Sequence, residues 1–291
     1  MKQRHPLATL VFVSLVLLTA CSPAAPVPTA IIAPVATSAP PTAAPSPTVA
    51  GQTLTVFAAA SLTDAFKAIG KNFTAANPGT NVAFNFAGSQ QLAQQIGQGA
   101  PADVFASANN TQMAVVIKSG QVVSGTQRTF ARNRLVVIYP AANPAGLTKL
   151  QDLAKPGIKI VLADKSVPVG GYALDFLARA SQQPDFTATF SPTVLANVVS
   201  FEQDVKAVLG KVALGEADAG IVYTTDITSD AATKVGKLDI PDKLNTIASY
   251  PIAPIQGTAN AGLAQKFVDY VLSPAGQDVL ATFGFLAPPA D

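Results

Sequence analysis

Beyond residue 50 this sequence contains neither a cysteine nor a histidine; the single cysteine is Cys21 and the single histidine is His5. Those two absences remove whole classes of chemistry from the body of the chain. A Ser-His-Asp or Cys-His nucleophile system cannot be assembled there. Neither can a zinc site built from Cys and His, nor an intrachain disulfide. Charge is also sparse, at 12% of the 291 residues, with 19 Lys+Arg against 17 Asp+Glu. Lys2 and Arg4 are the only basic residues before Lys67 apart from His5, and no acid precedes Asp64. Once those two are set aside, the remaining basic and acidic residues balance. A neutral body without clustered Lys and Arg cannot replace the counterions of a nucleic acid, so no nucleic-acid partner is expected. Carboxylate chemistry remains open, as does ligand binding through hydroxyls and backbone groups.

What is present at the N-terminus reads as export. Residues 1–21 combine a positive start (Lys2, Arg4) with a mostly apolar run from Leu7 to Leu18. That run is shorter than the roughly 20 residues a membrane-spanning helix needs. Leu18-Thr19-Ala20-Cys21 resembles a bacterial lipobox, which predicts Cys21 as the lipidated first residue of the mature chain. With no second cysteine available, a disulfide role for Cys21 is not offered. Residues 22–50 follow without a single charge, and eight of these 29 are proline. Proline removes donors and disfavours helix, so this segment reads as an extended, disordered tether. The expected location is the outer face of the cytoplasmic membrane, held by a lipid anchor.

From Gly51 the composition changes to apolar runs alternating with helical periodicity. Thr53–Ala60 reads as a strand, and Leu62–Ala75 as a helix with Leu62, Ala65, Phe66, Ile69 and Phe73 on one face. Strands are further expected at 81–86, 103–107, 134–139, 159–163 and 220–223. Helices are expected at 90–96, 111–119, 172–180, 203–214 and 264–272. Strands apolar on both faces and alternating with helices predict an α/β body with mixed, mostly parallel sheets. A body of this length accommodates two lobes. With 134–139 and 249–255 as crossing strands, lobe one is 51–132 plus 252–291 and lobe two is 133–251. A ligand site belongs in the cleft between them, beyond the carboxyl ends of the strands. No internal sequence repeat is evident.

Four strand-to-helix turns share a chemical character. Ala60-Ser61-Leu62 and Gly88-Ser89-Gln90 each place a serine at a helix start; Val167-Pro168-Val169-Gly170-Gly171 opens a helix with flexible glycines; Glu202-Gln203-Asp204-Val205 opens another. Helix starts present unpaired N–H groups and the positive end of the helix dipole, so they attract anions without a formal cation. Each piece alone has a plainer reading: Ser61 and Ser89 as N-caps, the glycine pair as a tight loop, Tyr223 as a core residue with its hydroxyl at the rim.

In order and spacing, TVFAAASLTDAF, FAGSQQLAQQI, GAPADVF, SVPVGGYA, QDVKAVL and GIVYTTD resemble the molybdate-binding proteins of bacterial ABC transporters, across essentially all of 51–291. The resemblance implies a two-lobed periplasmic-binding-protein fold of type II, closing on tetrahedral molybdate or tungstate. It implies ligand contacts from the hydroxyl and N–H of Ser61 and Ser89, the backbone N–H of Val169 and Val205, and the hydroxyl of Tyr223. It implies no cofactor, no directly coordinated metal and no enzymatic activity, with a permease and its cytoplasmic ATPase as partners of a monomer. Two departures stand out: Gly88-Ser89-Gln90-Gln91 lacks neighbouring serines, and Ser107-Ala108-Asn109 has an amide where the family has an acid. That position, Asn109, is not assigned to the anion.

A donor-only site suits a fully deprotonated oxyanion, which offers only acceptors. Phosphate keeps a proton near neutrality, and leaving it unpaired in a buried site costs about 1–3 kcal/mol. Sulfate can be excluded only by size. The alternatives are another oxyanion in the same fold (sulfate, thiosulfate or phosphate), a carboxylate hydrolase using acids such as Asp103, Glu202 or Asp204, and a surface lipoprotein that binds other proteins.

Overall fold

The structure, a computed structural model, describes residues 51–289. The leader (1–21), Cys21 and the tether (22–50) lie outside those residues. Within them, β1 (Gln52–Ala59) runs through a short 3-10 turn (Ala60–Leu62) into α1 (Thr63–Ala76). β2 (Thr80–Ala87) feeds α2 (Ser89–Gly97), and β3 (Val104–Ala106) feeds α3 (Asn110–Lys118). β4 (Arg128–Asn133) is separated by one residue from β5 (Leu135–Pro140). β6 (Ile160–Ala163) feeds α4 (Pro168–Ala180) and then α5 (Phe190–Ala196). β7 (Val198–Glu202) feeds α6 (Val205–Ala213), and β8 (Ala219–Tyr223) is followed by α7 (Ser229–Ala232) and β9 (Val235–Asp239). β10 (Ala248–Pro254), α8 (Ala261–Leu272) and α9 (Pro274–Thr282) complete the chain.

The strands form two five-stranded sheets, ordered β2-β1-β3-β10-β4 and β7-β6-β8-β5-β9. Both are mixed. β1 pairs parallel with β2 and β3, and β6 with β7 and β8; β10 and β5 pair antiparallel with both their neighbours. Parallel pairing is therefore half of each sheet rather than most of it. The segments that carry the chain between sheets, β4 with β5 and β9 with β10, all enter antiparallel ladders. The two crossings are stapled by Asn245, whose side chain accepts the N–H of Leu135 at 3.0 Å and donates to its carbonyl at 2.9 Å.

The local reasons for these elements are visible in the packing. Residues of β1 alternate between two buried environments: Val56 and Ala58 face one core, Phe57 the other. Such double burial is what a central strand requires. In α1, Ala65, Phe66, Ile69 and Phe73 form the buried stripe, and Phe66 and Phe73 meet Phe267 of α8 edge-on. Each such ring contact adds about 0.5–1.5 kcal/mol to its area burial. α4 begins earlier than the periodicity predicts, because Pro168 pre-sets the first helical turn. Gly170 and Gly171 are consequently helical rather than a loop. A Cβ on Gly170 would overlap the carbonyl oxygens of Asp164 and Ala163, so glycine is what lets α4 start directly against the end of β6.

Candidate functional site

The carboxyl ends of β1, β2 and β3 in one sheet face those of β6, β7 and β8 in the other across a small cavity. Its wall is made by the turns after those six strands: Ala59 to Ser61, Gly88 with Ser89, Ala108, Val167 to Val169, Asp204 with Val205, and Tyr223. No Lys, Arg or His lies in the wall. All five residues singled out from the sequence (Ser61, Ser89, Val169, Val205 and Tyr223) are brought together here, and all are buried.

Each arrives by its own local logic. Ser61 is not an N-cap. It sits in the 3-10 turn between β1 and α1, and its Oγ lies 3.0 Å from Tyr250 Oη. Ser89 is the first residue of α2, with Gly88 as the cap and the Gln91 side chain accepting the Gly88 N–H. The Ser89 Oγ accepts the N–H of Ala108 at 3.0 Å, which leaves its proton for the cavity. Val169 is the second residue of α4 and Val205 the first of α6. N–H groups in a first turn have no carbonyl of their own helix to bond, so the Ser89, Val169 and Val205 amides remain as donors. Pro168 surrenders only an N–H that a helix start leaves unpaired anyway.

Tyr223 ends β8 with its ring against Tyr250. Its hydroxyl is buried, lines the cavity and has no hydrogen-bond partner. A buried phenol without a partner costs about 1–3 kcal/mol, an expense that a guest accepting its proton removes. Burial pushes the Tyr223 hydroxyl well above the usual phenol range, with Tyr250 contributing, so it stays protonated and can donate. Behind it, Asp226 accepts the Tyr223 N–H at 3.0 Å.

Polar groups also cross the cleft around the cavity. Lys206 of α6 bonds Asp64 of α1 at 2.9 Å and lies 3.7 Å from the fully buried Asp226. Gln90 of α2 donates to the Gln203 carbonyl at 2.8 Å, and Gln112 of α3 to the Ser166 carbonyl at 3.2 Å. A Cβ on Gly88 would meet that same Gln203 carbonyl at 2.5 Å, so glycine permits the close approach of the two lobes. Asp64 thus serves the cleft rather than a capping box with Ser61.

Two further residues complete the wall. Ala108, next to Asn109, lines the cavity with its N–H bonded to Ser89 Oγ, and Asn109 does not line it. Asp204 also lines the cavity, and its Oδ1 caps α6 by accepting the Ala207 N–H at 2.9 Å. Tyr250 and Asn133, which stand behind Ser61, carry no local sequence signal, since they reach it from positions 189 and 72 residues away. The three acids of the hydrolase alternative are not gathered. Asp103 accepts from Thr55, Thr258 and Asn260, and Glu202 pairs with Lys211 at 2.6 Å, while only Asp204 is in the wall. Among the described residues no cluster of His, Cys, Asp or Glu could hold a metal ion. None of their helices is long and apolar enough to cross a membrane.

Comparison with known proteins gives a consistent picture. The model of the bacterial extracellular solute-binding protein family matches residues 54–286. The molybdate-binding protein ModA of Mycobacterium tuberculosis is 41% identical over 242 residues, covering 83% of this chain and 87% of that protein. The Azotobacter vinelandii periplasmic molybdate-binding protein superposes with a TM-score of 0.69 at 22% identity, over 81% of this chain and all of that one. The sulfate-binding protein SubI of M. tuberculosis superposes at 0.71 with 19% identity, over 80% of this chain and 86% of that one. At those identities the last two speak for the two-lobed fold alone. The family model and the ModA match together establish that this chain belongs to the bacterial extracellular solute-binding proteins, in the group of the molybdate-binding ModA proteins.

Proposed function

We propose that the protein captures molybdate outside the cytoplasmic membrane and delivers it to an ABC permease, with tungstate as a second ligand. The observation that carries this is the convergence of six strand-to-helix turns, three from each sheet, on one small cavity that gathers uncharged donors and no cation. The Ser61 and Ser89 hydroxyls, the Val169 and Val205 amides and the Tyr223 hydroxyl are the groups that would hold the anion. A tetrahedral oxyanion without protons matches donors approaching from every side, and helix starts supply positive potential without a formal cation. Binding and release complete the cycle in this reading; no bond of the ligand is made or broken, and no cofactor takes part.

The rest of the reading follows from the sequence. Cys21 carries the lipid, 22–50 spans from the membrane, and a monomeric body presents the ligand to the permease. The lobes divide near 51–132 with 252–291 and 133–251; the sheets support that division except at its edges, since Asn133 and Ala248–Pro251 pair within the first sheet. Replacing Cys21 by Ser should release the protein from membranes into the soluble fraction and abolish labelling by fatty acid.

Sulfate is the competing ligand, because a sulfate-binding protein shares the fold. Calorimetric titration of the purified protein with molybdate, tungstate, sulfate, thiosulfate and phosphate separates these readings. Tight binding of molybdate and tungstate with weak binding of the rest is the expected result. Sulfate binding as tightly as molybdate would overturn the selectivity.

A further inference from the structure

The side chains behind Ser61 are wired in one direction. Asn133 ends β4 and is fully buried. Its Oδ1 accepts the backbone N–H of Arg134 at 2.9 Å, and a backbone N–H can only donate. That bond fixes which way the amide lies, so Nδ2 is the group donating to Thr225 Oγ1 at 2.7 Å and to Tyr250 Oη at 3.3 Å. Tyr250, fully buried on β10, therefore accepts from Asn133. Its own proton has one acceptor left within hydrogen-bond distance, Ser61 Oγ at 3.0 Å. Ser61 thus receives a hydrogen bond from behind, and its proton is left for the cavity it lines. Ser89 reaches the same state through a backbone amide, that of Ala108.

We propose that Asn133 and Tyr250 are positioning residues that hold Ser61 as a donor toward the guest and so exclude oxyanions that carry a proton. The proposal rests on the reading of this cavity as an oxyanion site. A serine hydroxyl free to rotate can present either its proton or a lone pair. It then serves the hydroxyl of hydrogen phosphate as well as a bare oxygen. With one lone pair of its oxygen taken by Tyr250 and its proton thereby left for the cavity, Ser61 faces the guest as a donor, and the hydroxyl of hydrogen phosphate meets no lone pair aimed at it there. Asp204 is the one acidic side chain in the wall, and it is common to wild type and variants, so it cancels in a comparison between them. Tyr250 itself is not in the wall; its hydroxyl bonds Ser61 and its ring packs edge-on against Tyr223, so the Ser61→Ala background separates the two routes.

Tyr250→Phe removes that oxygen and keeps the ring packed against Phe130, Tyr223 and Phe285. Purified full chain is titrated at neutral pH with sodium molybdate, and with sodium phosphate alone and in competition. The expected result is that the preference for molybdate over phosphate falls about tenfold in Tyr250→Phe, the scale of one hydrogen bond to a charged group. In a Ser61→Ala background, Tyr250→Phe should change the preference no further. Asn133→Ala frees Tyr250 to accept from Ser61, so it should shift the preference in the same direction, and it carries the test if Tyr250→Phe does not fold. An unchanged preference, or equal losses for both ligands, would overturn the wiring while wild-type molybdate binding stood. A wild type that binds no molybdate would instead remove the reading on which the wiring rests.

Discussion

In one sheet the parallel trio β2-β1-β3 lies beside the antiparallel pair β10-β4; in the other, β7-β6-β8 lies beside β5-β9. The two halves share this plan although no repeat is visible in their residues, and they bring different chemistry to the same cavity. The first sheet contributes serine hydroxyls, each with its oxygen already engaged from behind, and one helix-start amide, that of Ser89. The second contributes helix-start amides and one phenol without a partner. What is common is strand polarity: three parallel carboxyl ends in each half, aimed at one point. A donor shell can therefore be assembled from unlike residues, provided the backbone delivers the helix starts.

The largest expected effect separates hydroxyl donors from backbone donors. Ser89→Ala and Tyr223→Phe should each weaken molybdate binding by about 1.5–3 kcal/mol, measured by calorimetry, because each deletes a hydrogen bond to a charged guest. Gly170→Ala tests the backbone half. Its methyl has no room against Asp164 and Ala163, so unfolding stability should fall by about 1–3 kcal/mol, with weaker binding as α4 shifts.

A pH experiment sharpens the contrast behind Tyr223. Burial pushes the Asp226 carboxyl up to about 6, with Lys206 pulling the other way. The folded chain then holds this proton more tightly than the unfolded chain does. The group's contribution is therefore present below about pH 4 and is lost as pH rises through about 6. Wild type should lose thermal stability relative to Asp226→Asn across that window, and parallel melting curves for the two would contradict this. The smallest effect belongs to Val205→Ala. It should change molybdate affinity by well under about 1 kcal/mol, because the donor is a main-chain N–H that the substitution keeps.

The parts of the molecule legible in the sequence are those fixed by neighbours in the chain. The turn after β1, the turn after β2 and the one before α6 are short segments where an apolar run meets helical periodicity, and their residues are where the periodicity puts them. Edge strands were harder to see. β4 (RTFARN) and β9 (VGKLD) each lie at the edge of a sheet and carry charges, so neither shows a continuous apolar run. The glycine pair at 170–171 suggests a flexible loop, but the strict fit of Gly170 against β6 is a tertiary fact. The Asn133–Tyr250–Ser61 chain is longer-range still, since its members meet only after both crossings between the sheets have formed.

The most direct test of the donor shell is a crystal structure of the protein with molybdate, the metal located by its anomalous signal. The anion should sit in the cavity between the sheets, its oxygens within hydrogen-bond reach of the Ser61, Ser89 and Tyr223 hydroxyls and the Val169 and Val205 amides. Molybdenum found elsewhere, or held by a lysine or arginine side chain, would contradict the account.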